Sequence, residues 1–93
     1  EVIHFQNDNM AVGGLNYCEK KGLRVPEDIG VAGWGNLPIA SILPYRLTST
    51  AVPHLKVGQI AAEMMLARLN DRQVKNPRMI ESTMIDGETV QQR

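Results

Sequence analysis

Apolar positions along the chain fall into short runs and helical spacings that predict an α/β fold. Two runs, Val2 to Gln6 and Ile29 to Trp34, are rich in β-branched and aromatic residues and predict buried strands. Between them, Ala11, Leu15 and Cys18 have the spacing of one helix face. A strand, a helix and a strand within about 33 residues form a βαβ unit, so the strands should be parallel neighbours.

The ends of the first helix carry recognisable signals. Asn7 or Asp8 is suited to the N-cap, and Gly22 can supply the left-handed residue that stops the helix. Lys20 and Lys21 fall in the last turn, where positive charge favours the helix dipole. We therefore expect one helix between the two strands.

The second half of the chain predicts a second long helix between shorter elements. Leu37 to Leu43 favours a short helix, and Leu47 to Thr50 favours a short strand. Pro53 is placed to open a helix from His54 to about Asn70. Its apolar arc is wide, which predicts that much of this helix is buried. Two further candidate strands are Arg78 to Ile85 and Glu88 to Val90.

Composition narrows the function classes. The 93 residues suffice for one small domain, and the 10 basic and 10 acidic residues give no basic cluster for DNA contact. No run of about 18 apolar residues predicts a membrane span, and no signal peptide is visible. The single cysteine, Cys18, suits a reducing cytoplasm. Because the chain opens at Glu1 directly into an apolar run, we interpret it as a fragment that lacks its N-terminal part.

The predicted topology points to a ligand site. In open parallel sheets, ligands bind beyond the carboxyl ends of the strands. Two polar turns follow the predicted strands there: the one that begins at Asn7, and Gly35-Asn36. The Asn7 side chain can donate and accept hydrogen bonds, which suits a hydroxylated ligand, although it could equally serve only as a helix cap.

Other conspicuous residues have structural alternatives. Trp34 could stack on a sugar-like ring or belong to the core or its rim. We expect His4 to be a hydrogen-bonded core residue and Cys18 a packed thiol. Neither His4 nor His54 has a second ligand at metal-binding spacing. With no catalytic triad or carboxylate pair, the sequence predicts no enzyme, metal site or cofactor.

Three stretches together resemble the lactose-repressor/galactose-repressor (LacI/GalR) family of transcription regulators: Gln6 to Gly13, Gly22 to Trp34, and Leu47 to Thr50. Gly58, Ala61-Ala62 and Arg93 also fit. The resemblance implies a periplasmic-binding-protein-like type I fold, a parallel sheet with flanking helices. Residues 1–93 would be a C-terminal fragment of the effector-binding domain. Residues 1–50 and 85–93 would belong to its C-terminal lobe, and residues 54–84 to its N-terminal lobe.

The same resemblance implies a cytoplasmic, homodimeric repressor that has no membrane association. A helix-turn-helix N-terminal to this segment would bind operator DNA, and an effector held between the lobes would change that binding. A fragment with parts of two lobes would expose strand edges, so we expect that it pairs with another copy or a partner, or is the ordered remainder of a longer chain. The alternative is a periplasmic sugar-binding protein of a transporter.

The resemblance assigns effector binding to Asn7, Trp34, Gly35 and Asn36. Gly35 stands where the family usually has a sugar-binding aspartate, and Val52 where it often has glutamine. Since a negative charge is missing from the pocket, an anionic ligand becomes more favourable, and the Gly-aromatic-Gly-Asn variant is similar to gluconate-type repressors. We expect a sugar or sugar acid such as gluconate.

The resemblance also implies a dimer interface. Its residues would include Val12, Leu15 and Leu43, which lie on the first helix and near the end of the short second one.

Overall fold

The computed structural model describes residues 1–74 and 77–92, which form two compact units. The first unit comprises Glu1–Val52 and Thr83–Arg93, and the second comprises Pro53–Ser82. The boundaries between the two units lie close to the boundaries between the two lobes that the resemblance implies. Their assignment to a C-terminal and an N-terminal lobe stays a prediction. Arg93, which the resemblance includes, lies outside the described residues.

The first unit is built on a four-stranded sheet with the order β1-β2-β3-β4. Strands β1 (Val2–His4), β2 (Gly30–Gly35) and β3 (Thr48–Ala51) are parallel, whereas β4 (Thr83–Ile85) is antiparallel to β3. The predicted parallel pairing of the first two strands is confirmed. Of the two late candidate strands, only these three residues of the first form a strand. The segment 88–90 forms none.

Helices α1 (Asp8–Lys20) and α2 (Ile39–Ile42) join these strands, and α1 packs against β2. The side chain of Asn7 caps α1 by accepting a hydrogen bond from the Met10 amide at 2.9 Å, and Gly22 has the expected positive φ of 70°. A buried apolar cluster forms the core on this side of the sheet, which we call the α1 face. Its members are Ala11, Leu15, Val31, Ala40 and Leu47.

The opposite side of the sheet, the open face, is less covered. Because side chains alternate along a strand, the register of the pairings places Val2, His4, Trp34 and Met84 on the face that points away from α1. Val2 is 54% exposed and Met84 58% exposed. The prediction that the first strand is buried is therefore wrong for this chain, and so is the prediction of a core His4, which is exposed. The reason is that β1 is an edge strand and α1 packs against β2, so that Ile3, on the α1 face, is also 45% exposed.

The amino end of the sheet is fastened by Thr89, which is 1% exposed. Its hydroxyl donates to the Val31 carbonyl at 2.6 Å and accepts from the Thr48 amide at 2.9 Å. Its own carbonyl accepts from the Val31 amide at 2.8 Å. Nearby, the Gly87 amide donates to the Thr48 hydroxyl at 3.0 Å. The C-terminal segment thus ties β2 to β3 without forming a strand.

The second unit contains α3 (His54–Leu69), within a residue of the predicted bounds. Its expected burial is wrong, because Ile60 is its only buried residue among those described. Leu55 is 77% exposed and Leu69 is 72% exposed. The described part of this unit offers one helix and an irregular segment, so most of the apolar arc has no neighbouring element to pack against.

Candidate functional site

The carboxyl ends of the strands are joined through Asp8, the first residue of α1. Its side chain is completely buried, and its carboxylate accepts hydrogen bonds from the Ser49 hydroxyl at 2.7 Å and from the Leu37 amide at 2.6 Å. Asn7 and Asn36 are each one residue away from this Asp8–Leu37 bond. The fold therefore brings together the two polar turns that the sequence predicted at this edge, which we call the carboxyl rim.

Gly35 and Asn36 form a turn with unusual backbone angles. Their φ values are +113° and +50°, both in the region that glycine and asparagine tolerate best. The Asn36 amide donates to the Ser49 hydroxyl at 3.1 Å, while the residue itself is exposed. The backbone of Asn36 is thus fixed from inside the sheet and its amide side chain is left at the surface.

Trp34 lies beside this turn on the open face. It is 43% exposed and its ring meets His4 edge-on, with ring centroids 6.3 Å apart and planes at 78°. Asp8 and Ser49 are on the α1 face, so Trp34 and the Asp8 contacts lie on opposite sides of β2. The half-exposed indole leaves an aromatic surface available, which fits the stacking interpretation better than a core tryptophan.

Sequence reasoning missed the two residues that organise this rim. Asp8 was considered only as an alternative helix cap, and Ser49 only as part of a strand. One available signal was Gly33, where an added Cβ would collide with the Asp8 carboxylate. A glycine inside a buried strand often marks the close approach of another group.

The three predicted interface residues differ in their surroundings. Val12 is half-buried, and Leu43 is half-buried and packed against the core cluster. Leu15 is 5% exposed and is itself a member of that cluster. Leu15 is therefore the least accessible of the three, and its place in the interface stays a prediction. Leu15 and Leu43 both line a groove of about 350 Å³ beside α1, together with Tyr45. Burial raises the pKa of the Tyr45 phenol, and the charges of Glu19 and Cys18 add to this.

Metal sites, reactive thiols and membrane-spanning helices are the other features to consider besides the carboxyl rim. Within residues 1–74 and 77–92, no group of three His, Cys, Asp or Glu side chains could hold a metal ion. Cys18 is a buried free thiol, as the sequence predicted. In the same part of the chain, no helix combines the length and apolar character that crossing a membrane requires.

Comparison with known families identifies the domain to which these strands and helices belong. A model of the periplasmic binding protein-like domain matches residues 2–90. The chain belongs to this family. This agrees with the periplasmic-binding-protein-like fold that the resemblance implied.

Relatives narrow the assignment to LacI/GalR-type effector-binding domains. The HTH-type transcriptional regulator GntR of Escherichia coli (strain K12) is 37% identical over 75 residues, 81% of this chain and 22% of that protein. The probable HTH-type transcriptional repressor ExuR of Bacillus subtilis (strain 168) is 32% identical over 82 residues, 88% of this chain and 25% of that protein. The chain thus spans about a quarter or less of the length of these two relatives. These relatives are transcription regulators, so the transport-receptor alternative is not favoured.

Solved structures agree with this assignment. A LacI family transcriptional regulator from Bifidobacterium animalis subsp. lactis has a TM-score of 0.88 at 28% identity, over 96% of this chain and 33% of that one. A LacI family regulator from Arthrobacter sp. FB24, in complex with lactose, has a TM-score of 0.81 at 26% identity, over 98% of this chain and 35% of that one. The periplasmic-binding-protein-like fold and the predicted family are both confirmed.

Proposed function

We propose that the chain forms one side of the effector pocket of a cytoplasmic, ligand-responsive repressor. The effector is a sugar or sugar acid such as gluconate. A helix-turn-helix outside this segment binds operator DNA, and the protein acts as a homodimer. Residues 1–50 and 85–93 belong to the C-terminal lobe, and residues 54–84 to the N-terminal lobe. Effector binding is linked to operator binding because it favours one arrangement of the two lobes over another.

The observation that carries this proposal is the make-up of the carboxyl rim. Asn7 and Asn36 stand on either side of the Asp8–Leu37 hydrogen bond at the place where open parallel sheets bind ligands. Capping α1 uses only the oxygen of the Asn7 amide, so its NH2 group can still donate to a ligand. Neutral amides that donate and accept are suited to hydroxyl and carboxylate groups alike.

The charge distribution at the rim supports an acid as the effector. Asp8 is 0% exposed, and both of its oxygens already accept hydrogen bonds within the protein. Gly35 and Asn36 present no carboxylate in the turn. A ligand carboxylate at Asn7 and Asn36 would therefore be repelled only by the inward-facing Asp8, whose charge two hydrogen bonds partly offset, and by no second carboxylate in the turn. The relatedness to GntR points in the same direction.

For the homodimer, Val12, Leu15 and Leu43 are the interface residues that we propose. Val12 and Leu43 are partly accessible apolar side chains on the side of the first unit that carries α1. Leu15 supports this surface from within the core.

The experiment is a calorimetric titration of the full-length protein, including the proposed helix-turn-helix, with gluconate. Glucose and ribose are the neutral controls. We expect saturable binding of gluconate. Asn7→Asp keeps the capping oxygen and the side-chain shape but places a negative charge at the rim, so it should weaken gluconate binding by about tenfold or more. Asn9→Asp is the matched control, because it adds the same charge to an exposed position of the same helical turn.

The outcomes separate the parts of the proposal. Equal loss of binding in Asn7→Asp and Asn9→Asp would remove Asn7 from the pocket. Binding of glucose or ribose but not gluconate would contradict a sugar acid and leave a sugar-responsive regulator. No binding of any of the three ligands would contradict the proposed effector class.

A further inference from the structure

The Asp8 carboxylate has a role that helix capping does not explain. Asp8 lies in the first turn of α1, where a negative charge favours the helix dipole. Its two oxygens, however, accept from Ser49 on β3 and from Leu37 beyond β2, not from amides of α1. A carboxylate that only stabilised the helix would be expected at the surface. Full burial with two partners on other elements indicates that it joins three parts of the chain.

Ser49 extends this connection to the ligand-facing turn. Its hydroxyl donates to Asp8 and accepts from the Asn36 amide at 3.1 Å, so one side chain bridges the carboxylate and the turn. Leu37, the next residue, is held directly by Asp8 at 2.6 Å. Two consecutive backbone amides after β2 are thus fixed by the same pair of side chains.

This arrangement fixes the positions of the two rim asparagines relative to each other. Asn7 directly precedes Asp8, and Asn36 directly precedes Leu37, so the Asp8–Leu37 bond sets the separation of their backbones. Asn36 also holds a left-handed φ of +50°, which asparagine tolerates better than most residues. The hydrogen bonds of Ser49 and Asp8 hold the two residues of this turn in place.

We propose that Asp8 and Ser49 are positioning residues of the effector pocket, which hold Asn36 at the separation from Asn7 that a ligand requires. Neither touches the ligand. They act through the backbone of residues 36 and 37. This inference rests on the proposed function, and its test includes a measurement that needs no ligand.

The test compares Ser49→Ala with Thr89→Val in the complete polypeptide. Each substitution removes one buried hydroxyl that bridges neighbouring parts of the sheet, Ser49 at the carboxyl rim and Thr89 at the amino end. We expect both to lower the Tm to a similar degree. Ser49→Ala should also raise the Kd for gluconate about tenfold, whereas Thr89→Val should change it less than about twofold. A purely structural role would change the two Kd values equally.

Amide hydrogen exchange supplies the measurement without ligand. Ser49→Ala should accelerate exchange at Asn36, whose amide donates to the Ser49 hydroxyl, and leave Thr48 protected, whereas Thr89→Val should do the reverse. Equal Kd values for the two variants, or unchanged exchange at Asn36 in Ser49→Ala, would overturn the inference. If the unmodified protein binds no gluconate, the proposed effector class fails, and the exchange result alone decides whether Ser49 fixes the turn at Asn36.

Discussion

The two ends of the sheet are fastened by buried polar side chains of different chemistry. At the carboxyl rim, the charged Asp8 holds a backbone amide and the Ser49 hydroxyl. At the amino end, the neutral Thr89 holds a backbone amide and a backbone carbonyl. Both residues are almost fully buried, at 0% and 1% exposure.

The difference follows from what each group can do. A threonine hydroxyl both donates and accepts, so it can link a carbonyl of one strand to an amide of its neighbour. An ionised carboxylate only accepts, so it can gather several donors around one point. The amino end is thereby joined strand to strand. The carboxyl rim instead gathers a turn and a neighbouring strand around one anion, which is a geometry suited to positioning side chains for a ligand.

The largest expected effect is a difference in stability between variants at the two ends of the sheet. Asp8→Ala should lower the free energy of unfolding by about 3 kcal/mol, because it leaves two buried donors without their acceptor. Thr89→Val keeps the side-chain volume and should cost about 1–2 kcal/mol. Chemical denaturation of the complete polypeptide measures both values. A loss for Thr89→Val that equals or exceeds the loss for Asp8→Ala would contradict the stronger role of the charged group.

Two glycines of β2 offer a second comparison. An added Cβ at Gly33 would collide with the Asp8 carboxylate, whereas one at Gly30 would lie 2.9 Å from a methyl group of the Val2 side chain, which can move. We expect Gly33→Ala to lower the free energy of unfolding by about 2 kcal/mol and Gly30→Ala by clearly less. Thermal unfolding of both variants provides the measurement. Similar losses would show that the strand, not Asp8, limits the side chain at position 33.

The smallest effect concerns an ion pair before β2. Arg24 donates hydrogen bonds to Asp28 and lowers the pKa of that carboxyl below its ordinary value of 3.8. Since a lowered pKa in the folded state stabilises the protein above the unfolded pKa, this contribution is present at neutral pH. It is lost as the pH falls through the folded value.

Asp28→Asn should therefore lower the Tm only slightly at pH 7, because the pair is exposed and screened by solvent. The difference from the unmodified protein should begin to shrink as the pH falls below 3.8, where the carboxyl is protonated in the unfolded chain, and it should disappear below the lowered folded pKa. Thermal melts at pH 7 and pH 3 test this. A difference that grows towards low pH would contradict the assigned direction.

Local sequence signals were enough for most of the elements. Periodicity gave the parallel pair of strands and the bounds of α3 within a residue, and capping chemistry gave the ends of α1 at Asn7 and Gly22. These features depend on residues close in sequence. Burial was less predictable, because apolar residues of α3 and of β1 need partners that no local pattern reveals.

The candidate site also combines features that the local sequence predicts with features that depend on distant segments. The polar turns at Asn7 and at Gly35-Asn36 could be assigned to one rim, because parallel strands place their carboxyl ends together. Their mutual position could not, because it depends on Asp8 reaching residues 29 and 41 positions away in the chain. Sequence by itself determined the family, the elements and the chemistry available at the rim. Only the tertiary structure decided which donors surround the buried carboxylate, since hydrogen bonds between distant segments exist only once the sheet and α1 have come together.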